Sequence, residues 1–230
     1  MKWGERKLRE AIIGQCRWMN ASGLNQGTSG NISARCGAVV LITPSATPYD
    51  EMRPEMIAAM PLAGRDGEWR GPLKPSTEWQ FHLDILRSRP EAGAVVHTHS
   101  PYCTALAIAR RGIPPVHYMM AAFGGSDIRC AEYHTFGTAE LSVAVLAALE
   151  ARKGCLLANH GMIAVGADLD EAMWLAVELE TLARQYVLSL QSGGPVLLSE
   201  EQIADAARSF SGYGLLGGRA RGAKGRGGAR

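Results

Sequence analysis

Apolar positions along the chain follow two periods, and the changes between them mark out the elements. Over residues 5–22, Leu8, Ile12, Cys16 and Met19 recur near helical spacing, which predicts an amphipathic opening helix. Val39-Val40-Leu41-Ile42-Thr43 reads as a short β-branched strand that breaks at Pro44-Ser45-Ala46-Thr47-Pro48. Residues 56–60 predict another short strand, and Gly64-Arg65-Asp66-Gly67 carries the glycines of a hairpin turn. Lys74-Pro75-Ser76-Thr77 announces a helix over residues 78–88 that buries Trp79, Leu83 and Leu86, with His82 on a partly exposed position. Ala94-Val95-Val96 leads a strand that Pro101 stops, and residues 102–110 resume a helical pattern. Thr138 caps a helix over residues 139–151, the runs 155–158 and 162–165 are strands, and residues 169–190 form a long helix. Short strands spaced irregularly among helices predict a layered α/β fold with a mixed sheet, not a regular parallel βαβ array.

Composition narrows this further. A chain of 230 residues, 47% of them hydrophobic, can bury one sizeable core and needs no second domain. Its apolar runs fall far short of the roughly 20 residues that span a membrane, and no export signal is visible at the start. Cysteines 16, 36, 103, 130 and 155 are scattered without a CxxC pair, as expected of reduced thiols in a cytoplasmic compartment. The formal charge is +2, but five positive charges sit in the last dozen residues, and removing those five leaves −3 for the body. A mildly acidic body speaks against specific nucleic-acid binding. The glycine-rich basic segment 214–230 has too little apolar surface to fold and is expected to be disordered, so residues 1–213 make the domain.

Candidate chemistry centres on Val96-His97-Thr98-His99-Ser100. Alternate strand residues share a face, so His97 and His99 either converge on one cation or include a hydrogen-bonded core histidine. Another apolar run ends in Asn159-His160-Gly161, which makes a third imidazole ligand plausible, and Glu78 stands at the start of its helix as a fourth candidate. Such a donor set suits a divalent transition metal, zinc first. Between Gly23 and Ser33, glycines and short polar residues leave backbone N–H groups exposed; the stretch is either an anion cradle or an ordinary polar turn. It is neither a Walker loop nor GxGxxG.

Taken in order, GLNQGTSGNIS, ITPSATPYDEM, KPSTEWQFH, VVHTHSPYCTAL, VHYM, TFGTAEL and LLANHGMIAVG resemble the class II aldolase/adducin family over residues 1–213. The resemblance implies a layered α/β fold whose central, mainly antiparallel sheet is flanked by helices. It also implies a C4 homotetramer with active sites shared between subunits. By the same matching, His97, His99, His160 and Glu78 hold Zn2+, with Mn2+, Co2+ or Fe2+ as substitutes. Glu78 doubles as acid/base, Tyr118 serves a neighbouring subunit's site, and Asn31, Thr43, Ser45, Ser76 and Thr77 hold a substrate phosphate. Ala46 departs from the family pattern, which has glycine there.

The activity implied is reversible cleavage of a ketose 1-phosphate to dihydroxyacetone phosphate and an aldehyde. A pentulose-phosphate 4-epimerase and a methylthioribulose-phosphate dehydratase share the scaffold, and an adducin-like assembly module is a non-catalytic rival. The three histidines and Glu78 count against a mere module. An iron oxygenase is the competing metal chemistry, and three histidines beside a mobile carboxylate favour zinc. Phe123 and Phe136 are expected to wall the aldehyde end, favouring deoxy or thioether sugars, because burying an unpaired hydroxyl costs on the order of 1–3 kcal/mol.

Overall fold

The structure, a computed structural model, describes residues 3–213, so the expectation of a disordered tail lies outside the described residues. Helix α1 (Trp3–Ala21) follows the predicted amphipathic stretch, with Ile12, Cys16 and Met19 fully buried. Strands β1 (Asn31–Cys36), β2 (Val39–Ile42) and β3 (Ala58–Pro61) come next, then α2 (Trp79–Ser88), β4 (Ala94–Thr98) and α3 (Pro101–Ile108). The chain continues through β5 (Cys130–Ala131), α4 (Ala139–Ala148), β6 (Gly154–Leu157) and β7 (Gly161–Gly166), and closes with α5 (Leu169–Gln191) and α6 (Glu200–Tyr213).

The strands form one seven-stranded sheet in the order β3-β2-β1-β4-β7-β6-β5. Every pairing is antiparallel except β5 with β6. Strand parity sorts the core into two layers. Ile32, Leu41, Val96, Leu156 and Met162 face α1, α3 and α5, while Ile42, Val95, Cys155, Leu157 and Ile163 face α2 and α4. The strands are therefore apolar on both faces, and a polar residue inside them stands out. Asn31, Ser33 and His97 are such residues, all on the α2 side.

Several boundaries depart from the sequence pattern. Residues 23–33 read as one loop, yet Asn31 already opens β1, because its neighbours alternate into the core. The strand expected over 56–60 begins at Ala58, since Pro54 starts a 3-10 turn over Pro54–Met56. Tyr118–Phe123 also forms a 3-10 helix, which no periodicity signalled. No helix among the described residues is long and apolar enough to cross a membrane, and no disulfide joins the five cysteines.

Helix α3 leaves the end of β4 directly, and its own N-cap residue Ser100 makes no side-chain cap. The cap comes from α5 instead: the two carboxylate oxygens of Glu180 accept from the backbone N–H groups of Tyr102 and Cys103, each at 2.9 Å. A carboxylate there satisfies two orphan donors and complements the helix dipole. Glu180→Ala is expected to lower stability by about 1–2 kcal/mol, read as a lower urea midpoint with an unchanged slope. An unaltered midpoint would show that water replaces the cap at no cost.

Candidate metal centre and substrate cleft

His97 and His99 project from the α2 side at the end of β4, and β7 returns beside them so that His160 stands in the turn between β6 and β7. Two local features set that turn. Asn159 takes a left-handed conformation (φ 54°), with its N–H bonded to Ala107 O at 2.9 Å. Gly161 must be glycine, because a Cβ there would lie 2.4 Å from Thr98 O and 2.9 Å from the His99 ring. The three rings stack edge to face around one point, and their ligand nitrogens all lie within 4.8 Å of one another.

The donor set fits a divalent metal. His97 Nδ1 is 2.9 Å from the carbonyl oxygen of Met162, which can only accept, so Nδ1 carries a hydrogen and Nε2 faces the cluster. His97 Nε2 and His99 Nε2 are 3.1 Å apart, close to the roughly 3.3 Å that tetrahedral zinc with bonds of about 2.0–2.1 Å would impose. Glu78, at the N-cap of α2, closes the cluster from the other side: Oε2 is 3.3 Å from His97 Nε2 and Oε1 is 3.1 Å from His160 Nε2. Oε1 is buried and has no hydrogen-bond partner, an acceptor that a cation would satisfy.

Electrostatics bind the four groups together. Burial pushes the Glu78 carboxyl up, but His97 and His160 outweigh it and hold the group well below the usual carboxylate range. Burial lowers His97, and the Glu78 carboxylate more than offsets this, leaving it raised. His99 falls to about 4, through burial first and then the charges of His97 and His160.

Behind Glu78 lies a buried polar chain that the sequence reading missed. His82 is not a partly exposed helix residue: it is fully buried, because the polar positions Ser33 and Asn31 of β1 face it across the layer. Ser33 Oγ is 2.7 Å from His82 Nδ1, His82 Nε2 contacts Asn31 Oδ1, and Asn31 Nδ2 donates to Ser76 Oγ (3.0 Å) and Glu78 Oε2 (2.9 Å). The pairing of Asn31 with His97 in the β1–β4 register is what sets this amide beside the cluster.

A cleft of about 280 Å³ opens in front of the cluster, lined by Thr28–Asn31, Pro44–Ala46, Ser76–Glu78, His99, Asn159 and His160, with Tyr133, His134 and Phe136 on the outer wall. A larger groove of about 720 Å³ between β5 and α4 is apolar and holds none of the three clustered histidines. Besides Glu78, His99 and His160, five of the sequence candidates, Asn31, Ser45, Ser76, Thr77 and Phe136, meet in the cleft. Thr43 does not line it; it is buried, and its hydroxyl accepts from Ile32 N at 3.3 Å. Tyr118 is half-exposed and absent from the cleft of its own chain. Phe123 is no wall: it is fully buried against Gly154, where a Cβ would meet its ring at 2.9 Å. Ala46 has a φ of 50°, which explains why glycine suits that position. Thr28 and Ser29 lie in the stretch read as an anion cradle or a polar turn, whereas Tyr133, His134 and Asn159 were not singled out from sequence. Only the residue before His160 had a readable signal, an asparagine placed where a left-handed turn is easiest.

Burial, then the nearby charge of His97, drops His82 to about 3 from 6.5, with Glu78 opposing. The unfolded chain therefore takes up this proton first, and stability is lost as pH falls from about 6.5 towards 3. The urea midpoint of the metal-free protein is expected to fall over that window, and to fall less steeply in His82→Leu. Parallel slopes would show that another group carries the acid sensitivity.

Comparison with known proteins agrees with this geometry. Residues 10–187 match the family described as Class II Aldolase and Adducin N-terminal domain. A Rhodospirillum rubrum protein named 5-methylthioribulose-1-phosphate/5-deoxyribulose-1-phosphate aldolase is 51% identical over 207 residues, covering 90% of this chain and 92% of its own. An Escherichia coli K12 protein named L-fuculose phosphate aldolase is 48% identical over 210 residues, covering 91% and 96%. A solved structure named L-fuculose 1-phosphate aldolase superposes with a TM-score of 0.85 at 35% identity, covering 89% of this chain and 96% of that one. The chain belongs to the class II aldolase and adducin N-terminal domain family.

Proposed function

We propose that this class II aldolase reversibly cleaves a deoxy or thioether ketose 1-phosphate to dihydroxyacetone phosphate and an aldehyde, with Zn2+ held by His97, His99 and His160. The observation that carries the reading is the opening of the three-histidine cluster and Glu78 into a polar cleft with several donors at one end. A bound zinc ion would supply a Lewis acid for the negative charge that develops on the substrate's oxygens.

The chain's own groups do the rest. Ser45, Ser76 and Thr77 line the end of the cleft where the phosphate would sit, beside the Thr28–Gly30 loop. In the condensation direction, Glu78 takes the proton from the hydroxymethyl carbon of dihydroxyacetone phosphate, which then attacks the aldehyde carbon. The new alkoxide oxygen is protonated by Tyr118, supplied by a neighbouring copy in a homotetramer. Cleavage is the reverse: Tyr118 accepts the proton of the C4 hydroxyl as the C3–C4 bond breaks, and Glu78 returns one to C3. Tyr118 is half-exposed in the single chain, which suits a residue that serves another subunit.

The aldehyde end would lie against Phe136 and Tyr133, both more than half exposed in the cleft wall. Each CH2 buried against the Phe136 ring gains about 0.8 kcal/mol, and that ring offers a hydroxyl no hydrogen-bond partner. The names of the R. rubrum and E. coli relatives, which cover methylthioribulose, deoxyribulose and fuculose phosphates, support the same substrate class.

Glu78→Gln is expected to lower kcat by roughly 100-fold or more while the three histidines still retain metal, as measured by steady-state turnover and atomic absorption. Near-normal turnover would reassign the base. Dihydroxyacetone phosphate and zinc-loaded protein, offered acetaldehyde, lactaldehyde, methylthioacetaldehyde and glycolaldehyde, should condense best with an aldehyde bearing an apolar terminus. A preference for glycolaldehyde would refute the apolar wall, and no condensation with any of the four would refute the aldolase reading.

A further inference from the structure

His82 touches neither the cleft nor the three clustered imidazoles, yet it is fully buried and hydrogen-bonded at both nitrogens. A buried polar group of this kind costs stability unless every partner is satisfied. Its position is explained by what lies two bonds along the chain of contacts, since Asn31 joins His82 to Ser76 and Glu78.

The hydrogens of the chain can be placed from one end. A carboxylate oxygen only accepts, so the Asn31 atom that faces Glu78 Oε2 at 2.9 Å is its NH2 group. Asn31 Oδ1 then faces His82 and can only accept, so His82 Nε2 carries the ring hydrogen. Nδ1 is left bare, and Ser33 donates its hydroxyl hydrogen to it across 2.7 Å. Flipping the amide would set Oδ1 against Glu78 Oε2, two acceptors in contact, so Glu78 fixes which end of the amide it meets. Without His82 the amide would be held by its NH2 end alone, at Glu78 and Ser76, and Oδ1 would be a buried acceptor without its partner.

We propose that His82, backed by Ser33, is a positioning residue that anchors the Asn31 amide by its Oδ1 and so holds its NH2 group against Glu78 and Ser76. It acts on the metal-site carboxylate through Asn31, at second hand, and so tunes where Glu78 sits. The mechanistic consequence rests on the reading of Glu78 as the group that moves the proton.

The test is a double-mutant cycle of His82→Leu and Asn31→Ala, read in two ways. One is kcat and KM for cleavage; the other, independent of turnover, is the visible absorption spectrum and dissociation constant of Co2+ in the protein. His82→Leu is expected to cut kcat or cobalt affinity roughly 10–100-fold and to change the cobalt spectrum. His82→Gln, which returns an N–H to Asn31 Oδ1, should restore most of the loss. In the Asn31→Ala background, His82→Leu should add nothing further. Additive losses, or a cobalt spectrum and affinity indifferent to His82→Leu, overturn the proposal. If His82→Leu does not fold, Ser33→Ala, which frees the same ring, is carried through the same cycle with the same expected outcomes. Absence of turnover in the unmutated protein would refute the aldolase reading alone, because the cobalt cycle still decides the role of His82.

Discussion

A carboxylate buried beside three imidazoles is the constraint on which the rest of the structure depends. Taking Glu78 out of water costs several kcal/mol, and only opposite charge and hydrogen-bond donors at short range offset it. Nε2 of His97 and of His160 faces the Glu78 carboxylate at 3.3 and 3.1 Å and Asn31 donates to it, so none of the four positions can be moved independently. Their placement follows from the sheet. The β1–β4 register sets Asn31 opposite His97, strand parity turns both towards α2, and α2 begins at Glu78. A one-residue slip between β1 and β4 would carry Asn31 and Ser33 to the other layer, among α1, α3 and α5, and leave Glu78 buried with one donor fewer.

The two apolar layers make such a slip costly. Residues 94–97 alternate between them, and β7 repeats the alternation beside β4, so the centre of the sheet is fixed from both faces. Helix α5 packs against β4 and β7 and also supplies Glu180 to start α3, which leaves the cluster directly. The metal-ligand strand is thus held at its end by a helix cap and along its length by packing. Rigidity of this kind holds the imidazoles that follow from the strand in a fixed arrangement.

Much of this was legible in the sequence for definite reasons. The i, i+2 spacing of His97 and His99 fixes a shared face on any strand, and apolar runs before and after Asn159-His160-Gly161 mark a turn between strands. Long helices showed by period, and α5 matches its expected span to within a residue. The failures have equally definite causes. His82 looks exposed because its partners, Asn31 and Ser33, lie about 50 positions away, a separation that no local period reports. β1 was hidden by glycines and hydroxyls just ahead of it. Phe123 was expected at the aldehyde end from the family resemblance, but the 3-10 helix over Tyr118–Phe123 turns it into the core. Thr43 stands beside the phosphate candidates in sequence, yet its hydroxyl is committed to Ile32 N.

The division between the two phenylalanines bears on how specificity can vary on this scaffold. Phe123 packs against the backbone of β6 at Gly154, so replacing it would leave a cavity in the core, with a loss of about 3–5 kcal/mol. Phe136 sits in the segment 132–137, more than half exposed, and Gly137 of that segment lies against Thr77, where a Cβ would approach Thr77 O to 2.8 Å. Side chains at 133, 134 and 136 can therefore change while the metal cluster, the amide chain behind it and the Thr77 contact stay in place. On the proposed reading, the end of the cleft that would meet the aldehyde is built on a loop, and the end that would move the proton is built on strands and a helix start. On that reading the aldehyde end can vary at little cost to folding, whereas a change at Glu78, Asn31 or the histidines disturbs a buried, hydrogen-bonded network.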